Sequence, residues 1–235
     1  MEHKNNCIIC GADIIYLKEQ IEKECYYCKC KIGTNTICNS GHFICDSCHS
    51  ADALTLIEKF CVNTDIMDPI EMANILMKYP ELKMHGTEHH FLIPAVLLTA
   101  YYNFIKNPKL KEDMIVKART RAKKVPGGNC GFLGNCGAAV GTGIFVSLIT
   151  GATPLSKQEW RVSNLMTAES LHKIAVSGGP RCCKRNTFIA ILEAVKFVKK
   201  HLNIRLVSPD IINCEYSELN NECIGKECRF YTENR

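Results

Sequence analysis

No stretch of this chain approaches eighteen uninterrupted apolar residues, which excludes a membrane-crossing helix. Its start, MEHKNNC, is polar and charged with no apolar run behind it, so a secretory leader is not expected. Repeats and low-complexity tracts are missing, and strand signals are few. No strand-like run precedes a G-x-G turn, which argues against a Rossmann-type methyltransferase using S-adenosylmethionine. Extreme charge is also lacking. The formal net charge is +5, with 23% charged residues and one basic stretch at Lys117–Lys124. A surplus this small belongs to a solvated surface, so nucleic acid is not expected as the main partner. The single tryptophan, Trp160, reads as packing.

What the chain has in excess is cysteine: sixteen, half of them in the first fifty residues. Without a leader, disulfides are not the expected use. Reduced thiols that ligate metal are, in the cytoplasm of an anaerobe whose interior spares them oxidation. The N-terminal order is Cys7-x2-Cys10, Cys25-x2-Cys28, then Cys38-x3-His42-x2-Cys45-x2-Cys48. A CxxC pair on a tight turn aims two thiolates at one ion, and two such pairs close a tetrahedron. Eight ligands therefore suit two structural zinc ions in a zinc-ribbon or RING-like module. Sequential and cross-brace pairing both remain open, and Cys30 and His49 are spare neighbours. The segment is too short and polar to fold on core burial alone, and metal binding would supply about 10 kcal/mol per ion. No coordination position is left for catalysis, so the module reads as structural or as a docking surface for a protein partner.

At 235 residues and 46% hydrophobic, the chain can build one good-sized domain beside this module. From Ser50 onward the spacing of apolar residues is helical. Helices are expected over 51–61, 69–79, 92–105, 111–123, 134–150, 157–174 and 185–202, with Asp68-Pro69 as a capped start. Leu206–Pro209 reads as one short strand. The expected class is mainly α, divided into a zinc module at 1–50, an all-helical domain at 51–205 and a cysteine-bearing tail at 206–235.

A second set, Cys130, Cys136, Cys182 and Cys183, lies in Gly-rich loop-to-helix junctions. Helix N-termini favour thiolates and anionic clusters, and an iron–sulfur cluster suits such loops. At this point residues 92–202 resemble the α-domain of the iron–sulfur L-serine dehydratases, whose relatives include cysteine desulfidases. Leu92-Ile93-Pro94-Ala95-Val96-Leu97 is similar to an IIPAVL helix start. Cys136-Gly137-Ala138-Ala139-Val140-Gly141 is similar to C-x-G-E-V-G, and Gly151-Ala152-Thr153-Pro154 to a GGTP turn. Gly178-Gly179 with Cys183-Lys184-Arg185-Asn186 resembles GG…C-x-E-R-N. With its N-terminal CxxC pairs, the chain as a whole resembles an uncharacterised cysteine-rich family.

The resemblance implies a helical fold and a [4Fe–4S] cluster with one open iron, ligated in part by Cys136 and Cys183. The family's third cysteine falls near Ile174, where this chain has none, so Cys130 or Cys182 would take that role. The substrate-binding TAPTNG string aligns with the different residues Lys83–Glu88. There this chain carries His85-Gly86-Thr87-Glu88-His89-His90, three imidazoles and a carboxylate able to serve as acid and base. Arg185 reads as a carboxylate or sulfide anchor. The tail cysteines, Cys214, Cys223 and Cys228, lack a fourth nearby in the sequence. The expected function is an iron–sulfur lyase or sulfur-transfer enzyme acting on a small hydroxy or thiol substrate. The alternative is a non-catalytic metal scaffold or sensor docking on a protein partner.

Overall fold

The computed structural model describes residues 6–232; residues 1–5 and 233–235, the extremities of the module and the tail, lie outside the described residues. Two strands, β1 (Ile14–Glu24) and β2 (Lys31–Cys38), pair antiparallel, from Ile14 opposite Cys38 to Glu24 opposite Lys31. The register breaks between Tyr16 and Ile21. Most of the hairpin is exposed. A two-stranded ribbon is marginal in water, so its order must come from the cysteine groups that flank it.

The rest is helical: α1 (Asp46–His49), α2 (Ala53–Asn63), α3 (Pro69–Met77), α4 (Glu88–Phe104), α5 (Pro108–Ala122), α6 (Asn129–Phe132), α7 (Gly137–Thr150), α8 (Gln158–Val176) and α9 (Cys183–Leu202). Their starts obey local capping chemistry. Asp52 accepts from the Thr55 N–H, and Asp68 from the Ile70 and Glu71 N–H groups with Pro69 behind it. Asn107 accepts from the Leu110 N–H ahead of Pro108. Gly151 and Asn203, both left-handed, stop α7 and α9.

Helix α4 is the hub, packing against α2, α3, α5, α7 and α9. Twelve of its 17 residues are buried, as expected of a helix apolar on every side. Its Pro94 removes an N–H that would otherwise bond the His90 carbonyl. Helix α7 closes on that irregular stretch through glycine. A side chain at Gly137 would strike the His90 ring, and a Cβ at Gly141 would stand 3.1 Å from both the His90 carbonyl oxygen and Pro94 Cδ. On the far side of α7, Gly143 leaves room for Thr167 and Ser163 of α8.

The tail from 206 onward has no regular structure beyond two short 3-10 turns at 217–219 and 225–227. The strand expected at Leu206–Pro209 does not form, since both strands among the described residues belong to the N-terminal hairpin. Leu206 instead packs into the helical core as coil. Module, helices and tail share one hydrophobic cluster, which includes Cys25, Tyr27, Cys45 and Cys48 as well as Ile212, Tyr216 and Phe230. No helix among the described residues is long and apolar enough to cross a membrane.

Gly141→Leu should therefore destabilise the fold. Overpacking against α4 costs about 1–3 kcal/mol, against about 1 kcal/mol recovered by removing a helical glycine. A urea midpoint equal to or above wild type would show that α4 and α7 are not held this closely.

Candidate metal centres and a cysteine-lined cavity

The N-terminal ligands gather into two groups, each with all its donor atoms within 4.8 Å: Cys7, Cys10, Cys38 and His42, and Cys25, Cys28, Cys45 and Cys48. The pairing is thus cross-brace, first pair with third and second with fourth. Cys10 and Cys38 sulfurs are 3.4 Å apart, Cys28 and Cys45 sulfurs 3.7 Å. His42 Nδ1 lies 3.8 Å from the sulfurs of Cys7 and Cys38. Zn–S bonds of about 2.3 Å in a tetrahedron set sulfurs about 3.8 Å apart, so both groups fit an ion such as zinc. Cys30 and His49 fall outside both.

Burial resists ionisation of Cys38, but the Ser40 N–H and the contacts with His42, Cys10 and Cys7 prevail and bring its thiol down to about 6. Cys48 is pushed up by burial and by the neighbouring Cys25. Four thiols cannot all ionise side by side without a cation, and metal affinity consequently falls as pH falls.

The two groups differ in setting. Cys10 is exposed, whereas all four cysteines of the second group are buried. That second group is built into the helical core. Tyr27, next to it, stacks edge-on with Phe60 and Tyr79. The Tyr79 hydroxyl donates to the Ala51 carbonyl at 2.9 Å and lies 3.1 Å from those of Cys48 and His49.

The second cysteine set divides. Cys136 caps α7, Cys183 opens α9, and both line a narrow cavity with Cys130, His89, His90, Arg181 and Asn186. Cys182 instead lines a separate cavity among tail residues. The reason is local: N-cap and first-turn residues of one helix project in different directions. Burial pushes the Cys183 thiol up to about 11, with the Gly86 N–H pulling the other way and Cys136 adding to the rise. Asn186, one turn into α9, donates from Nδ2 to the Cys136 sulfur at 3.5 Å, while its Oδ1 is buried without a partner. The narrow cavity adjoins an open cleft of about 550 Å³ rimmed by Gly128, Gly131, Gly178, Gly179, Arg181 and Arg185.

The three histidines make different contacts, though His89 and His90 both border the narrow cavity. His85 Nε2 stands 3.2 Å from Asn220 Oδ1 and Glu222 Oε2 of the tail. His89 is fully buried, between Thr187 Oγ1 at 3.0 Å and the Lys83 carbonyl at 3.2 Å. Burial, then the charge of Lys184, holds it down to about 3. His90 Nδ1 is 3.1 Å from the Val125 carbonyl. A carbonyl only accepts, so Nδ1 carries the proton and Nε2, lying over Gly137, is left as an acceptor. Burial lowers the His90 pKa. Glu88 leaves one buried oxygen without a partner. Arg185 is 4% exposed and gives Nη2 to the carbonyls of Gly178 and Pro180, at 2.6 and 2.9 Å. It braces the glycine loop.

Arg181 and Asn186 were not picked out by sequence reasoning. The one-turn spacing from Cys182–Cys183 to Asn186 is the signal that could have found the latter. Lys184 was also missed. It is buried, donates to the Met77 and Leu82 carbonyls and lies over the Tyr216 ring.

The sequence matches the model of a family of unknown function (DUF5714) over residues 57–231, 175 of the 235, and the chain belongs to that family. The matched span holds most of α2, helices α3 to α9 and the tail as far as Tyr231, but not α1 or the two N-terminal ligand groups. No curated protein and no solved structure matches the chain.

Two outcomes follow. Cys10→Ala and Cys48→Ala should each reduce bound zinc from about two to about one per chain. Only Cys48→Ala should also lower the thermal midpoint of the helical signal, because its group is part of the core; equal midpoints would refute that continuity. Separately, the unfolded chain takes up a proton at the His89 position near pH 6.5, and the folded protein refuses it down to about 3. Stability is therefore lost as pH falls through that window. Between pH 7 and pH 5 wild type should lose about 2 kcal/mol more than His89→Gln, read from urea midpoints. Parallel curves would remove His89 from the account.

Proposed function

We propose that this member of the DUF5714 family is an iron–sulfur-dependent lyase or sulfur-transfer enzyme acting on a small amino-acid-like substrate bearing a hydroxyl or thiol. One observation carries the reading: Cys130 and Cys136 of one glycine-rich stretch and Cys183 of another line one narrow cavity that meets an open cleft at Arg181 and Asn186. The donor set fits the cluster. Three cysteines ligate three irons of a four-iron cubane and leave the fourth without a protein ligand. Cys136 and Cys183 stand at helix starts, where the dipole favours negative charge. The Asn186 amide points at the Cys136 sulfur.

When bound, such a cluster supplies a Lewis-acidic iron for a leaving hydroxyl or thiol. The resemblance of residues 92–202 to the iron–sulfur L-serine dehydratase α-domain and to cysteine desulfidases supports the same class. Cys130 takes the place of the third cysteine that is missing near Ile174.

The chain's own groups supply the rest. His90 Nε2, its tautomer fixed by the Val125 carbonyl, takes a proton from the substrate. Gly137 gives that ring its room. Arg181, exposed at the rim, receives a carboxylate. Asn186 Oδ1, buried and without a partner, accepts from an ammonium. His89, Glu88 and Arg185 act by positioning: His89 ties α4 to α9 through Thr187, and Arg185 holds the loop that carries Arg181.

Protein purified without oxygen should be brown. It should convert L-serine to pyruvate and ammonia, the water lost on elimination being taken up again as the imine hydrolyses, or L-cysteine and water to pyruvate, ammonia and hydrogen sulfide. His90→Gln should lower kcat by about 10²–10⁴-fold with iron content unchanged. A colourless protein carrying zinc alone would sink the reading in favour of the docking scaffold.

A further inference from the structure

The tail cysteines lack a fourth partner in the sequence, and the fold provides one. Cys182 lines a small cavity together with Cys214, Cys223 and Cys228. We propose that Cys182, Cys214, Cys223 and Cys228 ligate a [4Fe–4S] cluster that fastens the tail to the helical domain, a centre separate from the three-cysteine cavity.

Spacing separates this site from a zinc knuckle. Among the described residues, only the two N-terminal groups bring three or more ligand atoms within 4.8 Å of one another. The four sulfurs here stand wider than a single ion would hold them. All four nonetheless line the same cavity. Four cysteines lining one small cavity, rather than drawn to a point, suit a cubane held by four thiolates.

The sulfurs are also dressed for ligation. Backbone N–H groups of Arg185, Tyr216 and Gly225 donate to Cys182, Cys214 and Cys223, each at 3.4 Å. The same local bond runs from the Ser40 N–H to Cys38 within the first N-terminal group. Such donors stabilise bound thiolate and are one of the means by which proteins tune clusters. Met84, Phe188, Ile224 and Phe230 supply the apolar part of the lining, beside the polar Asn220 and Glu222. The neighbouring cations are Lys184, buried, and Arg185. They suit an anionic centre.

The tail's own structure calls for a crosslink. It crosses the helical core with no helix or strand to satisfy its backbone, yet Ile212, Tyr216, Asn220, Cys228 and Phe230 are buried. Its fixed points are the Cys214 N–H on the Phe230 carbonyl at 2.8 Å and the turn closed by the Tyr231 N–H on the Cys228 carbonyl. Both lie at the proposed ligands.

The test uses full-length protein purified without oxygen and assayed for iron, acid-labile sulfide and zinc. The variants are Cys223→Ser, the double Cys214→Ser/Cys228→Ser, and Cys136→Ser. Cys223 is exposed, so its replacement should leave the helical signal intact. Wild type should hold about eight iron. The double variant should lose about half its iron and sulfide, keep its zinc, and become sensitive to protease between residues 203 and 232. Cys223→Ser should alter the electron paramagnetic resonance signal of the reduced protein. Cys136→Ser should lose the other half. Iron unchanged in both tail variants, a third zinc instead of iron, or a disulfide among these four cysteines in the native protein would overturn the proposal. Iron retained in Cys136→Ser alone would overturn the catalytic reading and leave this one standing.

Discussion

Buried sulfur in groups is the constraint on which this molecule depends. One buried cysteine behaves as a small apolar residue and asks for nothing. Cys61 is of that kind, inside α2 with its thiol pushed up to about 12 by burial. Four thiols sharing a site behave differently. Each raises the cost of ionising the next, and only a cation relieves them together. The group of Cys25, Cys28, Cys45 and Cys48 meets this condition inside the main core, with Tyr27 and Tyr79 packed around it. An ion bound there would brace the helical core as well as the hairpin.

Much of this was legible in the sequence. The eight N-terminal ligands were readable because CxxC spacing is a local property. Their cross-brace pairing was not, because it depends on the path of the chain through β1, β2 and α1. The helix start at Asp68-Pro69 followed from a capping rule that acts over three residues, whereas the start at Asn107-Pro108 was missed and that helix was expected only from Lys111. The Leu206–Pro209 strand failed because a strand needs a partner, and none lies there. The histidines show the limit most clearly. Their spacing within residues 85–90 suggests one cluster, but a helix start fans successive side chains apart. His85 reaches the tail, while His89 and His90 both border the narrow cavity, His89 from its fully buried side.

Two readings of the cavity compete on physical grounds. As a scaffold, a helical domain has no need to gather Cys130 and Cys136 of one loop and Cys183 of another around a gap, and Leu or Ala would fill it better. It has no need to leave Asn186 Oδ1 buried without a partner, a state that costs about 1–3 kcal/mol. Unsatisfied groups of this kind are tolerated where something else completes them. The glycines facing His90 point the same way, since helix interiors favour alanine unless a neighbour must come close.

The adjacency of Cys182 and Cys183 ties the two cavities together. Cys182 caps α9 through the Arg185 N–H, and Cys183 is the first residue of that helix. Whatever fixes Cys182 among the tail residues also fixes the axis and rotation of the first turn of α9. That turn carries Cys183, Lys184 and Asn186. His85, bonded to Asn220 and Glu222, repeats the linkage from the other side, since it precedes the α4 turn that holds His90. The tail therefore touches both helix starts that furnish the three-cysteine cavity with its polar groups. A displacement of about 1 Å at such a site is enough to lose much of its chemistry. An irregular segment anchored only by side chains can hold that tolerance when inorganic bonds fix it, and hardly otherwise.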